Sequence, residues 1–207
     1  MKKSDKYQMR YQAHQAHKRK QMVYSDGSHE FRKWTDKEKQ LVQDVIDARR
    51  SQRTYNNEEL TDSERNEILQ QATHAPSSCN RHGISLKVVT HRHEKELLGG
   101  LLVGGVGWVH RADTIVLLFA DTEAYKSPNE KEFMHYCDVG FTVMPMWYKA
   151  ESMNIGVAYI NPNIRKEFKG IMQKHFGKGI FVGAVALGKY TLKANKSAGA
   201  DIEDMLL

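Results

Sequence analysis

The chain has 207 residues, a net charge of +6, 40% hydrophobic residues and 9% aromatic residues. That length supports one domain with a substantial core, and no apolar run comes near membrane-spanning length. Two cysteines exclude a disulfide framework and make a reducing, cytoplasmic setting the default, while the moderate positive charge suits an anionic ligand.

Residues 1–33 stand apart. They are rich in Lys, Arg, Gln and His, with Met9, Tyr11, Met22 and Tyr24 scattered among them and a basic run of His14, His17, Lys18, Arg19 and Lys20. No apolar segment follows the basic start, which argues against a secretory signal. The composition predicts a mobile or loosely helical extension. Its functional alternative is an arm for a partner or a phosphate backbone, but no nucleic-acid motif supports that, so nucleic acid is not expected.

The folded domain is predicted over residues 34–207. Thr35 and Glu38 form a capping box, and Leu41, Val42, Val45 and Ile46 mark one face of the helix behind it. Asn56-Asn57 marks a turn. Thr61 and Glu64 open a second helix with Ile68, Leu69 and Ala72 inward, which Pro76 ends or follows. Residues 85–90 read as a strand. The Leu- and Gly-rich stretch from Leu97 to Gly107 lacks a dinucleotide fingerprint and reads as a flexible loop or helix ends. Thr114–Ala120 is a continuous apolar run, as in a strand buried on both faces.

Ser127, Pro128 and Glu130 open a long helix that is apolar over most of its circumference, so a buried central helix is expected, kinked at Pro145 and stopped at Gly156. Val157–Ile160 reads as a short strand. Asn161-Pro162 starts another helix with Ile164, Phe168, Ile171 and Met172 inward, ending at Gly177. Ile180–Leu187 is the last strong strand. This irregular alternation indicates an α+β or mixed α/β layer fold.

Two stretches carry the candidate chemistry. Arg49, Arg50, Ser51 and Arg53 place three guanidiniums and a hydroxyl at a helix end. Guanidinium forks match phosphate and carboxylate oxygens and hold their charge at any working pH. Taken alone, the cluster slightly favours a solvated helix end, where cations suit the dipole. The second stretch is Ala75-Pro76-Ser77-Ser78-Cys79-Asn80. His74, Cys79 and His82 match no zinc spacing. Cys79 has no evident activating base, and Asp138 reads as a polar residue near a helix start rather than a catalytic acid.

In their order and spacing the two stretches resemble the Arg-Arg-Ser-x-Arg and Ala-Pro-Ser-x-x-Asn segments of the nitroreductase family of FMN-dependent oxidoreductases. The central helix followed by Asn154–Ile160 is similar to that family's helix-Gly-Leu-Gly-strand element. Phe181–Tyr190 is similar to its final strand, with Thr191 where the family has proline. The likeness covers about residues 40–197. It implies an α+β fold with a mixed, mainly antiparallel central sheet flanked by helices, in an intertwined homodimer.

The same resemblance implies FMN as cofactor. Arg49, Arg50 and Ser51 would hold its phosphate and ribityl chain, and Arg53 would lie at the N1–O2 edge of the ring. Asn80, with Pro76, Ser77 and Ser78, would meet the pyrimidine edge of a cofactor held mainly by the partner. Backbone amides near Ala158, Tyr159 and Ile160 would face N5. Lys193 and Lys196 are the candidates for the phosphate after the last strand, and Lys196-Ser197 matches better. The chemistry takes place at flavin N5, so no catalytic side chain and no metal is expected. The activity implied is hydride transfer from NAD(P)H to a small electron-poor acceptor. The alternative is a flavin- or anion-binding module without turnover, whose basic N-terminal arm binds a partner or nucleic acid.

Overall fold

The computed structural model describes residues 2–23, 32–177 and 179–206 of the chain. Among the described residues, six helices and four strands follow one another as α1 (Lys3–Val23), α2 (Asp36–Ala48), α3 (Asp62–Gln70), β1 (Ile84–Val89), α4 (Arg92–Leu101), β2 (Thr114–Ala120), α5 (Pro128–Ser152), β3 (Gly156–Ile160), α6 (Lys169–Phe176) and β4 (Ile180–Gly188), with short 3₁₀ turns between them. The strands form one sheet in the order β1-β2-β4-β3, and every neighbouring pair is antiparallel. The parallel contribution that makes the sheet mixed is a single bridge between Ser51 and Val157.

The capping boxes are realised as the sequence predicts. Thr35, Thr61 and Ser127 each accept from the N3 backbone, and Glu38, Glu64 and Glu130 reach back to the cap. These local bonds fix where α2, α3 and α5 begin. Inside the sheet, β2 alternates between two cores. Val116 and Leu118 pack with Ile68, Val143, Met146 and Trp147 on the side of α3 and α5. Ile115 and Leu117 pack with Leu98, Leu101, Met172 and Phe176 on the side of α4 and α6. The sheet is thus the middle layer of three, which is why its central strands read as unbroken apolar runs.

Several elements differ from the sequence reading. Of the Leu97–Gly107 stretch, read as a flexible loop or helix ends, residues 97–101 are the C-terminal half of α4: Leu97, Leu98 and Leu101 keep a helical stripe over the core, and burying it outweighs the cost of Gly99 and Gly100. The helix predicted from Asn161 begins only at Lys169, after a 3₁₀ turn over Lys166–Phe168, and Ile171 is exposed rather than inward. Helix α5 carries Pro145 in its interior and ends at Ser152. Gly156 does not stop it but opens β3. Nor is α5 buried all round: Phe133, Tyr136 and Phe141 are exposed on one stripe.

Within the N-terminal stretch, Lys3–Val23 form helix α1. In α1, Tyr7 is only 7% exposed and packs with Ala124 and Tyr125. Its hydroxyl and Lys3 both engage Asp121, at 3.1 and 3.4 Å. Of the predicted extension, Tyr24 and the side chains of Arg19, Lys20 and Met22 lie outside the described residues.

Candidate functional site

Helix α2 stops at Ala48, and the chain leaves it in extended conformation at Arg49. Residues 51–52 then run beside β3: Ser51 bridges Val157, and the Gln52 amide donates to the Val157 carbonyl at 2.8 Å. This pairing fixes the backbone from which the arginines project. Arg49 lies over the Trp147 ring, 4.9 Å from its centroid, and Arg53 lies 5.9 Å from the Trp108 centroid. The indole nitrogen of Trp147 also donates to the Arg50 carbonyl at 3.2 Å. Arg50 caps the helix end as well, its Nη1 donating to the carbonyls of Asp47 and Arg49, each at 2.7 Å.

The chain returns to this place after β4. Ala194, Asn195, Lys196, Ser197, Ala198 and Gly199 form the second wall of a groove of about 470 Å³, opposite Arg49, Arg50, Ser51 and Arg53. Four cations therefore converge, with Asp47 as the only acidic lining residue among the described residues. None of the four makes a salt bridge among the described residues. Like charges held together repel each other. A dianion in the groove would relieve that repulsion, and each charge-assisted hydrogen bond it accepts is worth about 1.5–3 kcal/mol. Lys193 takes no part: its ammonium is ion-paired with Glu151.

The remaining residues proposed from the sequence lie elsewhere in this chain. Ala158, Tyr159 and Ile160 form the second half of β3, with Ala158 and Ile160 buried and the Tyr159 hydroxyl donating to the Val182 carbonyl at 2.6 Å. Pro76–Asn80 sit in the connection to β1, and Asn80 lines a different cleft, shared with Lys3, Lys6, Tyr7 and Arg10 of α1. That connection is strained. Cys79, Asn80 and His82 have φ of 49°, 55° and 52°, in the left-handed region, at about 1–2 kcal/mol each.

A dense set of bonds holds this loop. Ser77 Oγ accepts from the His82 amide at 2.9 Å, and Asp138 Oδ1 accepts from the Ser78 amide at 3.2 Å. Arg10 Nη1 donates to the carbonyls of Arg81 and His82, at 2.8 and 3.3 Å. Tyr125 OH donates to Asp138 Oδ2 at 2.9 Å. Burial pushes the Asp138 carboxyl above the usual aspartate range, against the pull of its hydrogen bonds. Burial, and then the Arg10 charge, push His82 below the usual histidine range, and its ring meets Asn80 Oδ1 at 2.9 Å.

Sequence reasoning gave no role to Gln52, the variable position of the motif, or to the two tryptophans beneath the arginines, and it read Asp138 only as a polar residue near a helix start. Among the described residues no group of three or more His, Cys, Asp or Glu could hold a metal.

Fold and layers together are those of the nitroreductase type. A nitroreductase-like protein from Streptococcus mutans superposes with a TM-score of 0.72 at 18% identity, covering 82% of this chain and 98% of that one. A protein from Desulfovibrio desulfuricans, described as a nitroreductase and solved in complex with FMN, gives 0.69 at 24% identity over 80% and 95% of the two chains. A Staphylococcus epidermidis protein described as an NAD(P)H:FMN oxidoreductase gives 0.70 at 17% identity over 86% and 98%. The family model described as Nitroreductase family matches residues 46–106, the span that carries both motifs. No curated protein matches the chain significantly.

Proposed function

We propose that the protein is an FMN-dependent oxidoreductase that takes hydride from NAD(P)H and passes it to a small electron-poor acceptor. The observation that carries this reading is the convergence of Arg49, Arg50, Arg53 and Lys196 on one groove, without salt-bridge partners among the described residues. When bound, FMN supplies the hydride-accepting N5 atom, so the protein need offer no nucleophile or metal. Arg49, Arg50, Ser51 and Lys196 bind the phosphate end. Arg53 is the cation for the ring edge that becomes negative on reduction, where a fixed charge stabilises the reduced form.

The active unit in this reading is a homodimer. Asn80, at the end of the Pro76–Asn80 loop, lines a different cleft from the arginines of its own chain, and in the dimer a second copy brings that loop to the cofactor. The exposed apolar faces of α2 (Leu41, Val42, Ile46) and α5 (Phe133, Tyr136, Phe141) supply the self-complementary surface such a pairing buries. The strained Cys79–His82 loop belongs to a site that must be held open for a partner, where strain is commonly stored.

The test is direct. Purified protein, reconstituted with FMN where necessary, should show yellow flavin absorbance that NADH or NADPH bleaches and an electron-poor acceptor restores. A protein that refuses added FMN would defeat the proposal. One that binds FMN but never oxidises a nicotinamide would reduce it to a binding module.

A further inference from the structure

We infer that Gln52 is a positioning residue: it builds the second wall of the anion groove by clamping the tail that follows β4, and through that tail it sets the affinity for a phosphate monoester. The inference rests on the flavin reading above and deepens it. Gln52 is 2% exposed, the most buried residue of the Arg49–Arg53 stretch. Its side chain joins two distant segments. Nε2 donates to the Thr54 carbonyl at 2.7 Å, to Thr54 Oγ1 at 2.8 Å and to the Leu192 carbonyl at 3.0 Å. Oε1 accepts from the Ala194 amide at 2.8 Å. The backbone on either side is fixed too, with the Gln52 amide on Val157 and the Gln52 carbonyl accepting from Tyr55 OH at 2.6 Å.

The space for this side chain is made by a glycine. A Cβ on Gly156 would stand 2.5 Å from Gln52 Cγ and 3.0 Å from Tyr190 Cδ1. The tail itself has little else to hold it there. After Gly188 no helix or strand forms until the 3₁₀ turn at Ile202. The earlier tethers are the Asn56 amide on the Lys189 carbonyl at 2.9 Å and the ion pairs of Lys189 with Glu64 and Lys193 with Glu151. Among the described residues, the bond from Ala194 to Gln52 is the last tether before Lys196 and Ser197 reach the groove. Each buried hydrogen bond in such a clamp also leaves a costly orphan when removed, so the tail has one favoured path.

The experiment compares FMN with riboflavin, which lacks the phosphate, on the full-length chain. Wild type should prefer FMN. Gln52→Met keeps the volume and removes all four side-chain bonds. It should weaken FMN by tenfold or more and riboflavin by less than twofold, even if the melting temperature falls. Lys196→Met should weaken FMN in the wild type but add little on top of Gln52→Met, because the lysine is already displaced there. A variant that keeps the full FMN preference, or additive losses in the double variant, would overturn the inference while leaving the flavin reading intact. A wild type that binds both flavins equally would overturn both. Should Gln52→Met not fold, amide exchange on the wild type decides: the Ala194 amide should be protected and those of residues 197–199 fast, and a fast Ala194 amide refutes the clamp.

Discussion

At the scale of single residues, the most consequential group outside the arginine groove is Asp138. It is 1% exposed and ties Ser78 to Tyr125. Its carboxyl holds a proton more tightly folded than unfolded, chiefly because burial penalises the charge. The stability it contributes is therefore complete below the ordinary aspartate value of 3.8, and it is lost as pH rises through the raised folded value. Asp138→Asn removes that titration and keeps an acceptor for the Ser78 amide. Urea unfolding at about pH 4 and about pH 8 should show the Asn variant gaining on wild type at the higher pH. Parallel stabilities across that range would mean the carboxyl is not perturbed. None of this was visible in the sequence, where Asp138 was one polar residue in an apolar helix. Its depth depends on where the Ser77–Asn80 loop and Tyr125 come to rest, and that is fixed by packing between distant segments.

At the scale of elements, legibility followed the range of the forces. The starts of α2, α3 and α5 were readable because a cap closes within four residues, as at Thr61 and Glu64. The strands β2 and β4 were readable because both faces are buried and their apolar runs are continuous. Helix α4 was not, since its glycines oppose a helix locally and only the core beneath Leu98 and Leu101 decides for it. Helix α1 was least readable of all. It is polar nearly throughout, and Tyr7 is its one buried ring, with Arg10 and Tyr11 adding contacts to Arg81, His82 and Lys126. That gives a sharp expectation: Tyr7→Ala should release α1 from Ala124 and Tyr125 while the sheet stays folded. Losing about 2 kcal/mol of packing, below the range for a fully buried aromatic, should speed tryptic cleavage within α1 by about thirtyfold. An unchanged cleavage rate would place the anchor elsewhere, with Arg10 and its two carbonyl acceptors as the next candidate.

At the scale of the whole molecule, the arginine motif and Asn80 line separate clefts of one chain, and in the proposed homodimer the uncovered stripes on α2 and α5 would join two chains. Phe141, 48% exposed, shares its stripe with Phe133, 52% exposed. A carboxylate there could not be buried without a partner. Phe141→Asp should sediment as a single 23.8 kDa chain, wild type should run at twice that mass, and bound flavin should leave with the dimer. A wild type that runs as a monomer would sink the paired site. The motif has one more effect on the whole molecule. By lying along β3 at Ser51 and Gln52, it occupies backbone groups that an outermost strand would otherwise offer to any passing chain. Substitutions that pry this segment loose should therefore do more than weaken ligand binding: they should uncover a template for cross-strand aggregation, and lost solubility would be their earliest symptom.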